Sequence, residues 1–169
     1  METTSDYYAL TLPVSTDQQL RHASPFLVDH RSPMEHLRAV ETLAQYFKRE
    51  MHFDQVQFDA GETPDSLGYV PYQAWFFHEP ARDLLEEDEP LKLRIFGACC
   101  FRWREWTNAE PSWSLDWVWM HPYFRRRGHL AAAWPTFQAR YGIRFDVAQP
   151  LSIEMEAFVQ TMSLQGDQG

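Results

Sequence analysis

At 169 residues, with 44% hydrophobic and 15% aromatic side chains, the sequence suits one domain with a buried core and excludes a disordered chain. No apolar run approaches the roughly 20 residues that span a bilayer. Met1–Asp6 also lacks the basic and apolar regions of a secretion signal, so a cytoplasmic protein with no membrane partner is expected. A formal net charge of −9 disfavours a duplex nucleic-acid binder, which would neutralise phosphates with a basic surface.

Tyr7–Val14 reads as a short strand. Pro33 at a first helical position, then Met34, Leu37, Val40, Leu43, Ala44 and Phe47, predicts a helix to about Met51. Asp59–Gly68 reads as a loop and Tyr69–His78 as a strand with Pro71 near its start. Glu79–Pro90 is an acidic turn. Leu91–Trp103 is a strand that becomes continuously apolar, as a strand covered on both faces does. Within it, Cys99 and Cys100 should point to opposite faces as small core residues. A turn at Thr107–Pro111 leads to a third strand, Trp113–Met120.

Leu130–Trp134, Phe137 and Tyr141 predict a helix closed by Gly142, with Pro135 about a turn inside it. Arg144–Ala148 is a short strand. Ser152 opens a last helix through Ile153, Met155, Ala157, Phe158 and Val159, and Glu154 and Glu156 suit its positive end. The polar tail from Ser163 is expected to fray. Hairpin-linked strands followed by a strand–helix–strand crossover imply a mixed α/β sheet, mostly antiparallel and flanked by helices. A single domain spans residues 1–169.

Charge is distributed unevenly. Residues 50–90 hold eleven acids and one base, Arg82, whereas residues 121–145 hold five arginines and no acid. The basic part is concentrated in Val118–Trp134 (VWMHPYFRRRGHLAAAW), where a strand enters a loop of three arginines and a glycine and a helix follows at once. Loop amides and an unsatisfied helix N-terminus aimed the same way make an anion site. Gly128 permits close backbone approach or a positive φ.

This stretch resembles the GNAT superfamily of acyl-CoA-dependent N-acyltransferases. The family signature reads roughly Val-x-Pro-x-Tyr-Arg-x-x-Gly-x-Gly/Ala, and Met120, Pro122, Phe124, Arg125, Gly128 and Leu130 stand at the matching positions. The likeness spans about Leu91–Val159 and is carried by Val118–Ala133. It implies acetyl-CoA, or another acyl-CoA, as co-substrate. Val118, Trp119 and Met120 would run along the pantetheine arm. Arg125, Arg126, Arg127, Gly128, His129, Leu130 and Ala131 would surround the pyrophosphate. Leu130 takes the place of a smaller residue. The implied reaction is transfer of an acyl group, acetyl in the first instance, to an amine.

Such a transfer needs a neutral amine, a donor for the oxyanion and a proton for the departing thiolate. Asp116 is the only acid in Trp113–Met120 and is the candidate base; an acid facing solvent at the sheet surface, or pairing with an arginine, is the structural alternative. The family often places a Tyr on the last helix as the acid, but the matching position falls near Phe158. Ser152, or Tyr72 from elsewhere, would have to substitute. A backbone N–H near Met120 is the candidate oxyanion donor. His121 and His129 flank the arginines without a third ligand at a useful spacing, so no metal is expected.

The family usually adds two strands after the last helix, and this sequence stops soon after Phe158. A shortened C-terminal part is therefore expected. The exposed edge would be tolerated as it is, filled by the N-terminal region, or covered in a homodimer. The dense group Trp103, Trp106, Trp113, Trp117, Trp119 and Trp134 suits core packing, with an acceptor pocket or dimer surface as alternatives. The competing function is a non-catalytic interaction module that keeps the fold, with or without bound CoA. The acceptor is left open, although an acidic protein favours a cationic amine.

Overall fold

A computed structural model describes residues 10–149 and 151–166. The helix expected after Pro33 is α1 (Met34–Met51), and its Leu37, Val40, Leu43 and Ala44 stripe is buried against a sheet. It ends without a glycine. His52 adopts the left-handed conformation at φ 58°, and the Phe53 N–H donates to the Lys48 carbonyl.

Strands β1 (Val14–Ser15), β2 (Phe26–Val28), β3 (Tyr72–Pro80), β4 (Leu93–Arg104), β5 (Ser112–Met120) and β6 (Asp146–Val147) form one sheet. Its order is β2-β3-β4-β5-β6, with β1 beside the start of β4. Every pairing is antiparallel except β5 with β6. The expected mixed, mostly antiparallel sheet is therefore present. Two of its strands were not legible: β2 has only three residues, and β1 only two, too few for an alternation to show. The strand expected at Tyr7–Val14 lies partly outside the described residues, and the ladder observed there begins at Val14.

Strand β3 begins three residues later than expected. Pro71 cannot donate to a ladder, and only its carbonyl is used, by the Trp103 N–H at 2.9 Å. The helix after the arginine loop is α2 (His129–Tyr141), and Pro135 stays within it. The proline removes the bond that would reach Ala131; both residues are exposed, so water can take that carbonyl. The last helix, α3 (Ile153–Gly166), is capped by Ser152, whose Oγ accepts from the Met155 N–H at 3.1 Å. The tail expected to fray from Ser163 lies partly outside the described residues, and α3 continues to Gly166. Met162, Leu164 and Gln165 are good helix formers, so a polar composition does not imply a broken helix.

Helices pack on both faces of the sheet. On one face α1 meets Ala74, Phe76, Ala98, Cys100, Trp117 and Trp119. On the other, α2 and α3 meet Trp75, Phe77, Phe96, Cys99, Phe101 and Leu115. Cys99 and Cys100 thus face opposite cores as expected. Burial pushes both thiols up, Cys100 to about 12, so neither is a nucleophile at neutral pH. The core reading of the tryptophans holds for Trp117, Trp119 and Trp134, whereas Trp106 is 41% exposed. No helix among the described residues is long and apolar enough to cross a membrane.

Strands β4 and β5 meet tightly at one residue. A Cβ on Gly97 would lie 2.6 Å from Met120 Cγ and 3.2 Å from the Trp119 carbonyl oxygen. Gly97→Val is expected to lower stability by about 1–3 kcal/mol through overpacking, read as a lower urea midpoint at unchanged m.

Candidate functional site

Strand β5 keeps β6 as a neighbour for only two residues, Ser114 opposite Asp146 and Leu115 opposite Val147. The Ala148 N–H then closes onto the Leu115 carbonyl at 2.8 Å. At the next residue β5 bulges. Trp117 lies opposite Cys100 and Leu115 opposite Phe101, so Asp116 is the extra residue. A bulge bends its strand and increases the local twist. Beyond it, β5 runs to Met120 with no strand beside it on the β6 side among the described residues.

That divergence opens a cleft of about 810 Å³. Val118, Trp119 and Met120 of β5 line it, with Glu50 and Met51 from the end of α1. Arg125, Arg126, Gly128, His129, Leu130 and Ala131 come from the loop and the first turn of α2. Ser152, Glu154, Met155 and Phe158 come from α3 and its cap. The fold thus brings together the residues expected along a cofactor, apart from Arg127. Its guanidinium instead lies 4.3 Å from the Tyr123 ring centroid.

The loop owes its shape to two left-handed residues, Arg126 at φ 61° and Gly128 at φ 83°. The Arg125 N–H donates to the Pro122 carbonyl, and the Ala132 N–H donates to the Gly128 carbonyl. Among the described residues, the intervening amides from Arg126 to Ala131 donate to no protein acceptor. Such a run of free N–H groups at a helix start attracts an anion through partial charges alone. Nothing lies within 4 Å of a Cβ placed on Gly128, so the glycine is needed for its φ rather than for space.

The arginines divide between two tasks. Arg126 and Arg127 are exposed beside the free amides. Arg125 is turned inward: its Nε donates to the Met120 carbonyl at 2.8 Å, and its Nη2 donates to both Glu50 oxygens at 2.8 and 2.9 Å. The guanidinium also lies 5.8 Å from the Trp119 ring centroid. It therefore ties α1, β5 and the loop into one unit, instead of standing free for a phosphate. The His129 ring lies 4.7 Å from that of Phe96.

Asp116 lies outside the main cleft. Its carboxylate is held by Arg104 at 2.5 Å and Arg102 at 3.4 Å, and its side chain is 9% exposed. The alternative of an arginine pair is the one seen. Asp116 lines a separate chamber of about 50 Å³ between β5, β6, the end of α1 and the start of α3. Glu50, Met51, Val118, Ser152 and Met155 form a wall common to chamber and cleft. Ser152 Oγ accepts from Met155, which leaves its hydroxyl proton available to donate at that wall. Tyr72, the other candidate acid, lies away from both cavities. It packs against Phe58 at 5.0 Å, and burial pushes its hydroxyl up.

Glu50 is the site residue that sequence reasoning missed. A signal existed: it follows Phe47 by three residues on the face that carries Val40 and Leu43, where an apolar residue would continue the stripe. The Trp117 indole packs in the core as expected, yet its Nε1 is buried with no hydrogen-bond partner. Among the described residues, no group of three His, Cys, Asp or Glu side chains converges as a metal site. No family model matches this sequence, and a search of curated proteins finds no match.

Proposed function

We propose that the chain is an acyl-CoA-dependent N-acyltransferase of the GNAT type, using acetyl-CoA in the first instance and an amine acceptor. The observation that carries this reading is the row of free amides from Arg126 to Ala131, set at one end of a cleft whose wall is a strand without a neighbour. The amides suit a pyrophosphate, and the exposed Arg126 and Arg127 add long-range attraction. The open edge of β5 at Val118–Met120 offers main-chain groups to an extended, amide-bearing arm, as a sheet edge does to an added strand. The cleft volume suits a ligand of that length.

The bound co-substrate supplies an activated thioester carbonyl; the chain supplies position and protons. A backbone N–H near Met120 is the donor for developing negative charge on that carbonyl oxygen. Ser152 holds a proton at the wall between the two cavities, donates it to the leaving sulfur, and recovers the proton that the nitrogen sheds. Phe158, 5.1 Å from the Trp134 ring, keeps water from that end of the cleft. Asp116, held by two arginines, fixes the bulge from which the cleft opens.

Acetyl-CoA at a hundredfold excess over its dissociation constant should stabilise the protein by about 2.7 kcal/mol, a rise in Tm of roughly 5–10 °C. Gly128→Val forces a β-branched residue to positive φ and should remove most of that rise. Free thiol should appear when an amine panel is added. No stabilisation of the wild type would refute the reading. Stabilisation without thiol release from any amine would instead indicate the non-catalytic module.

A further inference from the structure

We infer that Glu50 is the residue that recognises the acceptor, binding the ammonium of a slender, unbranched primary amine whose stem fills the small chamber. The inference rests on the acyltransferase reading above and assigns its substrate class.

Two carboxylates border the chamber, and they are not equivalent. Asp116 is clamped by Arg102 and Arg104 and turned away from the cleft. Glu50 is 24% exposed and stands on the wall shared by chamber and cleft. A nitrogen bound there faces the cleft while its carbon stem extends into the chamber; the ammonium gives one proton to water in the cleft, and the neutral amine then attacks the thioester. Arg125 reaches Glu50 through one nitrogen, Nη2, which donates to both oxygens. Lone pairs remain on a carboxylate engaged in this way, and an ammonium can donate to them.

Arg125 also fixes where that carboxylate sits, because its Nε is anchored on the Met120 carbonyl. The amine-binding group is thereby registered against the strand that lines the cleft. The chamber sets the shape of the stem. Phe47, Leu115, Leu151 and Met155 give it apolar walls opposite Asp116 and Ser152, and its volume of about 50 Å³ is a small fraction of the cleft. A straight methylene chain fits such a space, and a carbon branched next to the nitrogen does not. Trp117 also lines the chamber, 3% exposed, and its buried indole N–H has no acceptor in the protein. A buried donor of this kind favours a ligand that brings an oxygen acceptor along its stem.

The probes are n-butylamine and tert-butylamine, titrated against intrinsic tryptophan fluorescence without co-substrate and against thiol release with acetyl-CoA. Wild type should bind and acetylate n-butylamine and discriminate against tert-butylamine. Glu50→Gln should weaken n-butylamine binding by about 10- to 100-fold, the loss of a charge-assisted hydrogen bond. The same variant should raise the amine KM by a larger factor than it lowers acetyl-CoA affinity, because a glutamine oxygen can still accept from Arg125. Glu50→Asp, which keeps the charge, should recover part of the loss. Equal use of the two amines by wild type overturns the chamber assignment, whatever any variant does. Unchanged n-butylamine binding in Glu50→Gln overturns the role of Glu50. If acetyl-CoA does not stabilise wild type, the acyltransferase reading fails first, and the fluorescence titration still decides whether Glu50 binds an amine.

Discussion

Phe101→Ala is expected to lower the unfolding free energy by about 3–5 kcal/mol, a large share of the stability of a domain this size. Phe101 is fully buried on β4, opposite Leu115 of β5. Its ring stacks on Tyr141 at 3.9 Å and meets Phe137 at 5.1 Å and Phe145 at 5.2 Å. Those partners belong to α2 and to the segment leading into β6. One side chain therefore fastens the crossover helix to the sheet. Truncation leaves a cavity that rigid aromatic neighbours cannot collapse to fill. The loss corresponds to a fall in Tm of roughly 6–20 °C. Since α2 carries the free amides at its start, acetyl-CoA stabilisation should weaken in parallel. A Tm within a few degrees of wild type would mean that this core repacks.

Arg125→Ala should have the largest effect on ligand binding, although the guanidinium is not placed as a phosphate ligand. Its removal leaves the Glu50 carboxylate uncompensated and the Met120 carbonyl without its donor. The pair is partly exposed, so the stability cost is about 1–2 kcal/mol rather than that of a fully buried pair. The functional loss should be greater, because three elements that shape the cleft are no longer tied together. Arg125→Lys should not rescue it: an ammonium cannot reach the Met120 oxygen and both Glu50 oxygens in one geometry. A double-mutant cycle with Glu50→Gln should give a coupling of roughly 1 kcal/mol in urea denaturation. A coupling near zero would show that the pair is idle.

The free amides and the exposed Arg126 and Arg127 suggest a loop that works by backbone geometry first and by charge second. This arrangement also accommodates Leu130. An amide run formed by backbone conformation depends little on the size of the side chain at one of its positions. The acidic balance of the chain and the basic loop are then compatible, since the loop needs little net positive charge to hold an anion.

Local patterns were sufficient for most of the architecture. The α1 stripe, the two-faced apolar run around Cys99 and Cys100, the Gly128 turn and the Ser152 cap are each set by residues a few positions apart, where periodicity and capping chemistry act directly. The loop could be read as an anion site because its parts, strand end, arginines, glycine and helix start, are contiguous. What escaped were features without a local signature. Strands β1 and β2 owe their existence to the strands they pair with. Asp116 reads as an isolated acid in an apolar strand until β4 places Arg102 and Arg104 against it.

The sequence by itself determined a mixed, mostly antiparallel α/β sheet and an arginine- and glycine-bearing loop between β5 and α2, because these follow from short-range spacing. Only the tertiary structure decided what each charged group does. Arg125 proved to be a brace, Asp116 a clamped bulge residue, and Glu50 the carboxylate at the meeting of two cavities. Glu50 and Arg125 are 75 positions apart in the chain. Their partnership depends on how α1 crosses the sheet, and long-range packing of that kind leaves no trace in local spacing.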